Sequence, residues 1–301
     1  MLDSIKGLHI EPTNICTLKC PRCSRTTFLD KFKSKNWSNK QLDLKELQNF
    51  VDIDIQGKIF NLCGNDGDPI YYDQLFELIE WVKSNNGLVQ IHTNGSYKDQ
   101  VWWSELAELL TVDDKITFAI DGTPENFTKY RINANWTSIL VGIEAMVSSK
   151  VKVEWKYIPF SYNIDSIETA RQLSQDLGFD LFTIYHSDRW DSDNDPYKPN
   201  IDDQGPRYER IVDWRQGKNV KIDAQCKSSH KEHYITADGY YTPCCYSANY
   251  QFFYSSDFYK NRKDYKISNT TLTKVLTNLA DFYATIETVK PKYCSFNCPK
   301  T

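Results

Sequence analysis

The chain has 301 residues, of which 40% are hydrophobic, 14% aromatic and 25% charged, with a formal net charge of -4. This is the balance of a folded globular protein, long enough for one large domain or a large and a small one, and it excludes an intrinsically disordered chain. The slight acidity and the lack of a long basic run give no electrostatic case for nucleic acid as a partner; with no signal segment and no apolar stretch of ~20 residues, the expectation is a cytoplasmic protein with no membrane partner.

Residues 7–11 read as a first strand that delivers the loop Cys16-Thr-Leu-Lys-Cys20-Pro-Arg-Cys23 from its carboxyl end. Three thiols in one loop can grip one metal centre. Thiolates select zinc, copper(I) or iron–sulfur, and a cluster with four metal sites held by three cysteines keeps one iron open to a ligand. Half of a zinc ribbon is the structural alternative, but it expects a fourth ligand nearby, and the sequence has none close by.

Leu44, Leu47, Phe50 and Val51 place a helix over 42–51, before a strand over 58–63. Asp73 stands where it can cap a helix whose apolar residues are Leu75, Phe76, Leu78, Ile79 and Val82, and Asn86-Gly87 stops it before a strand over 88–92. The alternation continues with a helix over 102–110, a strand over 115–120, a helix over 137–147, a strand over 151–158, a helix over 166–177 and a strand over 179–185. Six strands separated by helices predict a parallel sheet, and such sheets carry their sites at the carboxyl ends of the strands. From about 187 the periodicity fails. The run around Asp191, Asp193 and Asp195 reads as a solvated linker, since Pro196 stands where a calcium loop needs glycine. The expected organisation is a domain over 1–186, a linker over 187–225 and a second domain over 226–301.

Nine cysteines in a reducing compartment favour metal binding over disulfides. Four lie early and five late, with none between Cys63 and Cys226. The turn Cys63-Gly-Asn-Asp-Gly-Asp-Pro69 has glycines that let backbone approach a ligand and carboxylates suited to an ammonium group. Thr93-Asn94-Gly95 and Ile120-Asp121-Gly122 are turns at the ends of the third and fourth strands. On the strand over 58–63, alternation sets Phe60 and Leu62 on one face and Ile59, Asn61 and Cys63 on the other. The more apolar face should meet the helices, leaving Cys63 inside, either as packing or as a hydrogen-atom donor. The aromatics of 246–265 read as core and pocket wall, and His92, His186, His230 and His233 take no assigned role.

The spacing Cys16-x3-Cys20-x2-Cys23 after Gly-Leu-His-Ile-Glu-Pro-Thr-Asn resembles the signature loop of radical S-adenosylmethionine (SAM) enzymes, and the resemblance reaches the C-terminus. It implies an α/β fold, a partial barrel of six βα units, with a small C-terminal cysteine-rich domain. Gly67, Asp68 and Pro69 match the last three positions of a Gly-Gly-Glu-Pro-like motif that binds the SAM amino group, with Asp in place of Glu. Thr93, Asn94 and Asp121 would line the SAM pocket, and Arg131 would approach the SAM carboxylate. Arg22 departs from the aromatic residue usual before the third cysteine, although a guanidinium can also stack on adenine.

Cys226, Gly239-x4-Cys244, Cys294 and Cys298 resemble the twitch domain, a shortened SPASM domain carrying one auxiliary cluster; Cys245 is the alternative to Cys244, and a structural zinc site the alternative to the cluster. The resemblance implies two 4Fe-4S clusters, SAM, and an electron donor such as flavodoxin or ferredoxin. The implied reaction is reductive cleavage of SAM to methionine and a 5′-deoxyadenosyl radical that abstracts hydrogen from a peptide residue or small metabolite, ending in oxidation, crosslinking or epimerisation. Two rivals stand beside it. One is a dehydrogenase of an alcohol or sugar-like molecule, favoured by the lack of a leader-recognition segment, and the other is a non-enzymatic zinc-binding interaction module.

Overall fold

The computed structural model describes residues 5–32, 37–187, 189–200, 233–249, 253, 256–289 and 294. Six strands, β1 (Gly7–Ile10), β2 (Ile59–Leu62), β3 (Leu88–Thr93), β4 (Lys115–Ala119), β5 (Lys152–Tyr157) and β6 (Leu181–Ile184), alternate with helices α1 (Ser24–Phe32) to α6 (Ile167–Asp176). All six pair in parallel in chain order. A further strand, β7 (His233–Ile235), adds in parallel beside β1, and β8 (Tyr241–Thr242) follows it antiparallel at the edge. The sheet therefore runs β6-β5-β4-β3-β2-β1-β7-β8.

Parallel strands covered on both faces usually read as continuous apolar runs, whereas these alternate. One face carries Leu8, Ile10, Phe60, Leu62, Val89, Ile91, Ile116, Phe118, Val153 and Trp155, all buried within the main core. Each such side chain contributes about 2–3 kcal/mol by leaving water. The other face carries His9, Asn61 and Gln90, then His92, Thr117, Glu154 and Lys156, in matching registers. Polar side chains on every strand of that face mean that it bounds a polar interior, as the alternation on β2 predicts.

The helices start where local chemistry allows. Asp43, Asp99 and Asn135 accept from the backbone N–H three residues on and cap α2 (Leu44–Phe50), α4 (Gln100–Leu109) and α5 (Trp136–Val147). Asp73 does not cap α3 (Leu75–Ser84): the N-cap is Gln74, with no side-chain bond, and the Asp73 carboxylate instead accepts from Gln41 Nε2 at 2.5 Å. In the C-terminal part, helices Leu272–Asn278 and Ala280–Val289 pack Leu272, Val275, Tyr283 and Ile286 into the same core as Phe253 and Phe258. Among the described residues no helix is long and apolar enough to cross a membrane.

Candidate functional site

The cysteine loop leaves β1 at its carboxyl end and is tied down on several sides. Asp68 N–H donates to Ile15 O, Lys19 N–H to Ile132 O, and Cys23 N–H closes a turn on Cys20 O just before α1 begins. The Tyr71 hydroxyl lies 2.8 Å from Thr17 Oγ1 and donates to Ser96 O at 2.7 Å. So held, Cys16, Cys20 and Cys23 line one cavity of about 290 Å3 at the carboxyl ends of the strands. Burial, with the Asp68 charge beside it, pushes the Cys16 thiol up to about 12, and burial pushes Cys20 up to about 11. Deprotonated sulfur here needs a positive partner, which a metal centre provides.

The acidic turn after β2 forms the next wall. Asp68 is buried, and its carboxylate accepts from Asn94 N at 2.7 Å, from Asn94 Nδ2 and from Ile70 N. Burial raises its pKa, and the donating Asn94 N–H offsets that only in part. Asn94 Nδ2 also lies 3.7 Å from Cys16 Sγ, so one amide joins the acidic turn to a cysteine. The sequence reading missed Glu11, the residue that shapes this turn. Buried behind the cysteine loop, its Oε1 accepts from Asp66 N at 2.7 Å and Gly67 N at 3.2 Å. The two glycines are required by close approach: a Cβ on Gly64 would stand 2.4 Å from Glu11 Oε1, and one on Gly67 would stand 1.8 Å from Thr13 O. The glycines were the available signal that something presses on the turn.

Gly67, Asp68, Thr93, Asn94 and Arg131 all reach the cavity wall. Arg131 is half-buried beside Cys20 and makes a 2.6 Å ion pair with Asp121 Oδ2, while Asp121 Oδ1 accepts from Ile158 N. Burial works against the Arg131 charge, but Asp121 and the neighbouring Cys20 thiol outweigh it and keep the guanidinium protonated. Pro69 and Asp121 stand behind the wall, and so does Arg22. The Arg22 guanidinium is taken up by Asp195 at 2.7 Å and Asp191 at 3.0 Å, 5.4 Å from the Tyr197 ring. Residues 189–200 are therefore docked on the cysteine loop, with Asp195 only 5% exposed and also accepting from the N–H groups of Asp191 and Tyr197. Their polar composition had suggested a solvated linker, because an ion pair between partners 173 positions apart leaves no local pattern.

Cys63, Lys156 on β5, His92 on β3, and His186 and Arg189 after β6 complete the cavity. None of these last four was assigned from sequence. Burial pushes the Cys63 thiol up to about 11. Of the C-terminal cysteines, Cys244 and Cys294 are buried in the main core, with Cys244 Sγ 3.7 Å from Ser247 Oγ. Cys245 is less buried, and its carbonyl accepts from Asn65 Nδ2 in the acidic turn at 2.8 Å. Cys226 and Cys298, like His230, lie outside the described residues.

No protein-family model and no curated protein matches the sequence. Solved structures do match the fold. SuiB of Streptococcus suis bound to SAM superposes with a TM-score of 0.60 at 12% identity, covering 88% of this chain and 67% of its own. The enzyme anSMEcpe with bound AdoMet, another abbreviation for SAM, gives 0.62 at 17% identity, with 97% and 84% covered. BtrN in complex with AdoMet and 2-DOIA gives 0.50 at 13% identity, with 98% and 92% covered. SuiB has also been solved with its precursor peptide SuiA, and anSMEcpe with a peptide called Cp18Cys. All three are radical SAM enzymes, and this chain has their fold.

Proposed function

We propose that this chain is a radical SAM enzyme that holds a 4Fe-4S cluster on Cys16, Cys20 and Cys23, cleaves SAM reductively and removes a hydrogen atom from a peptide residue or small metabolite. The observation that carries this reading is the convergence of the three thiols, the Gly67-Asp68 turn, Asn94 and Arg131 on one cavity. The residues fit the group. Cys16, Cys20 and Cys23 line one cavity, and thiolates are the ligands that select iron–sulfur centres. Asn94 Nδ2 stands near Cys16 Sγ, and Arg131 beside Cys20, as donors to sulfur.

When bound, the cluster and SAM supply one-electron cleavage of SAM and a radical able to take hydrogen from an unactivated carbon. The chain's own part is placement. Arg131, locked by Asp121, presents a fixed guanidinium to the SAM carboxylate. Asp68, its carboxylate held by Ile70 N, by Asn94 and by the Thr93 side chain, would face the SAM ammonium. We assign an auxiliary cluster to Cys226, Cys244, Cys294 and Cys298, of which Cys244 and Cys294 are buried, with an electron donor of the flavodoxin or ferredoxin class supplying reducing equivalents.

Cys63 supports epimerisation as the outcome. Its thiol borders the cavity, and a hydrogen atom passed from Sγ–H to a substrate carbon radical restores the C–H bond on the opposite face. The thiyl radical left on Cys63 then takes one electron from the donor and one proton from solvent. The peptide complexes of SuiB and anSMEcpe favour a peptide substrate, and the BtrN complex with 2-DOIA keeps a small-molecule reading alongside it. The test is anaerobic reconstitution, iron analysis, and mass spectrometry for methionine and 5′-deoxyadenosine after reduction with SAM. Stoichiometric zinc without iron would overturn the reading in favour of a zinc-binding module.

A further inference from the structure

Arg25 stands in the first turn of α1, two residues after Cys23, and lines the cavity together with Cys16, Cys20 and Cys23. Its Nη2 donates to Leu18 O, which fixes the guanidinium against the cysteine loop. Its Nε is buried and has no hydrogen-bond partner. A buried donor without an acceptor costs free energy, and more so on a charged group. Such a donor points to an acceptor that the chain itself does not supply. Asp66 lies close enough for the Arg25 charge to act on it, yet its carboxylate takes Ser24 Oγ at 2.8 Å and no ion pair joins it to Arg25. The same charge acts on Cys16. Of the other guanidinium groups on this side, Arg131 is committed to Asp121, and Arg22 to Asp195 and Asp191.

Resting on the radical SAM reading above, we propose that Arg25 donates from Nε to sulfur of the cluster held by Cys16, Cys20 and Cys23, and raises its reduction potential. A 4Fe-4S core on three thiolates is an anion, and the electron that it takes up adds a further negative charge. A guanidinium that donates to its sulfur stabilises the reduced form more than the oxidised one, because hydrogen bond and positive charge both act on the added electron. The low dielectric of a buried site strengthens that difference. Leu18 O contributes by holding the guanidinium beforehand, so that little freedom is lost when the cluster is loaded. The ligand class of this side chain is thus a sulfide-bridged metal cluster.

The test is a redox titration of the anaerobically reconstituted full chain with SAM present, followed by electron paramagnetic resonance. Arg25→Gln should make the midpoint more negative at unchanged iron content, leaving about tenfold less reduced cluster at a fixed solution potential, or roughly 59 mV for a one-electron couple. Arg25→Lys keeps the charge without the Nε donor, so it should recover part of that shift and not all of it. If Arg25→Gln loses iron, Arg25→Lys decides alone: at full iron content its midpoint must lie below the parent's. The parent's midpoint in Arg25→Lys or in an iron-loaded Arg25→Gln overturns the proposal. So does a shift that vanishes once Asp66→Asn is also present, since Arg25 would then act through the acidic turn. A cluster whose midpoint follows Arg25 but which never cleaves SAM would leave Arg25 in place and bring down the radical SAM reading alone. Unchanged midpoints in a chain that does cleave SAM would do the reverse.

Discussion

The hydroxyl of Tyr234 donates to Glu11 Oε2 at 2.7 Å, joining β7 to the end of β1 across 223 positions of sequence. The same hydroxyl accepts from Asn65 N, and the Tyr234 ring meets His9 edge-on at 4.7 Å. Glu11 is therefore the point where β1, the acidic turn and the C-terminal strand lock together, directly behind the candidate SAM cavity.

A pH dependence follows from that lock. Burial, with the Asp66 charge nearby, raises Glu11 from 4.5 to about 8 in the folded chain. The native state holds a proton that the unfolded chain releases near 4.5, so this contribution is full below about 4.5, falls as pH rises and is lost above about 8. Glu11→Gln can still accept from Asp66 and Gly67 and donate to Tyr234, so it should flatten the stability profile over that window in urea titrations. Glu11→Ala leaves two N–H groups and a hydroxyl unsatisfied and should cost about 3 kcal/mol or more. A Glu11→Gln profile that falls as steeply as the parent's would show that another group titrates.

Replacing Cys16, Cys20 and Cys23 together with Ala should leave roughly half of the about eight irons expected for two filled clusters and abolish formation of 5′-deoxyadenosine. An unaltered cleavage rate would sink the assignment of this loop.

Cys244→Ala should lose the iron of the auxiliary cluster, while Cys245→Ala retains it. The reverse outcome in paired iron analyses would make Cys245 the ligand.

Asn94→Ala removes the donor near Cys16 Sγ and the Nδ2 bond to Asp68, while the bond from the backbone N–H to Asp68 is kept. Fewer hydrogen bonds to sulfur lower a cluster's reduction potential, so a redox titration followed by electron paramagnetic resonance should show a more negative midpoint at unchanged iron content. The same midpoint as the parent would limit Asn94 to shaping the turn, where its loss costs about 1–3 kcal/mol.

Cys63→Ala should still cleave SAM yet fail to deliver solvent deuterium to the product. Normal product yield with normal labelling in D2O would reduce Cys63 to packing.

The sequence by itself determined what depends on neighbouring residues. Alternation on β2 put Phe60 and Leu62 against the helices and Cys63 at the cavity, because side chains on a strand can face only two ways. The three-thiol loop was legible because all its cysteines lie within eight residues, and the order of strands because each βα unit is a local pattern followed by a short connection. Only the tertiary structure decided which loops meet. Asp73 had the identity of a helix cap but spends its carboxylate on Gln41, and Arg22 binds Asp195 away from the cavity. Glu11 looked like an ordinary strand end until Tyr234 and the glycine turn closed around it. Hydrogen bonds and ion pairs of this kind are chosen by the packing of distant segments, and that choice leaves no period in the sequence.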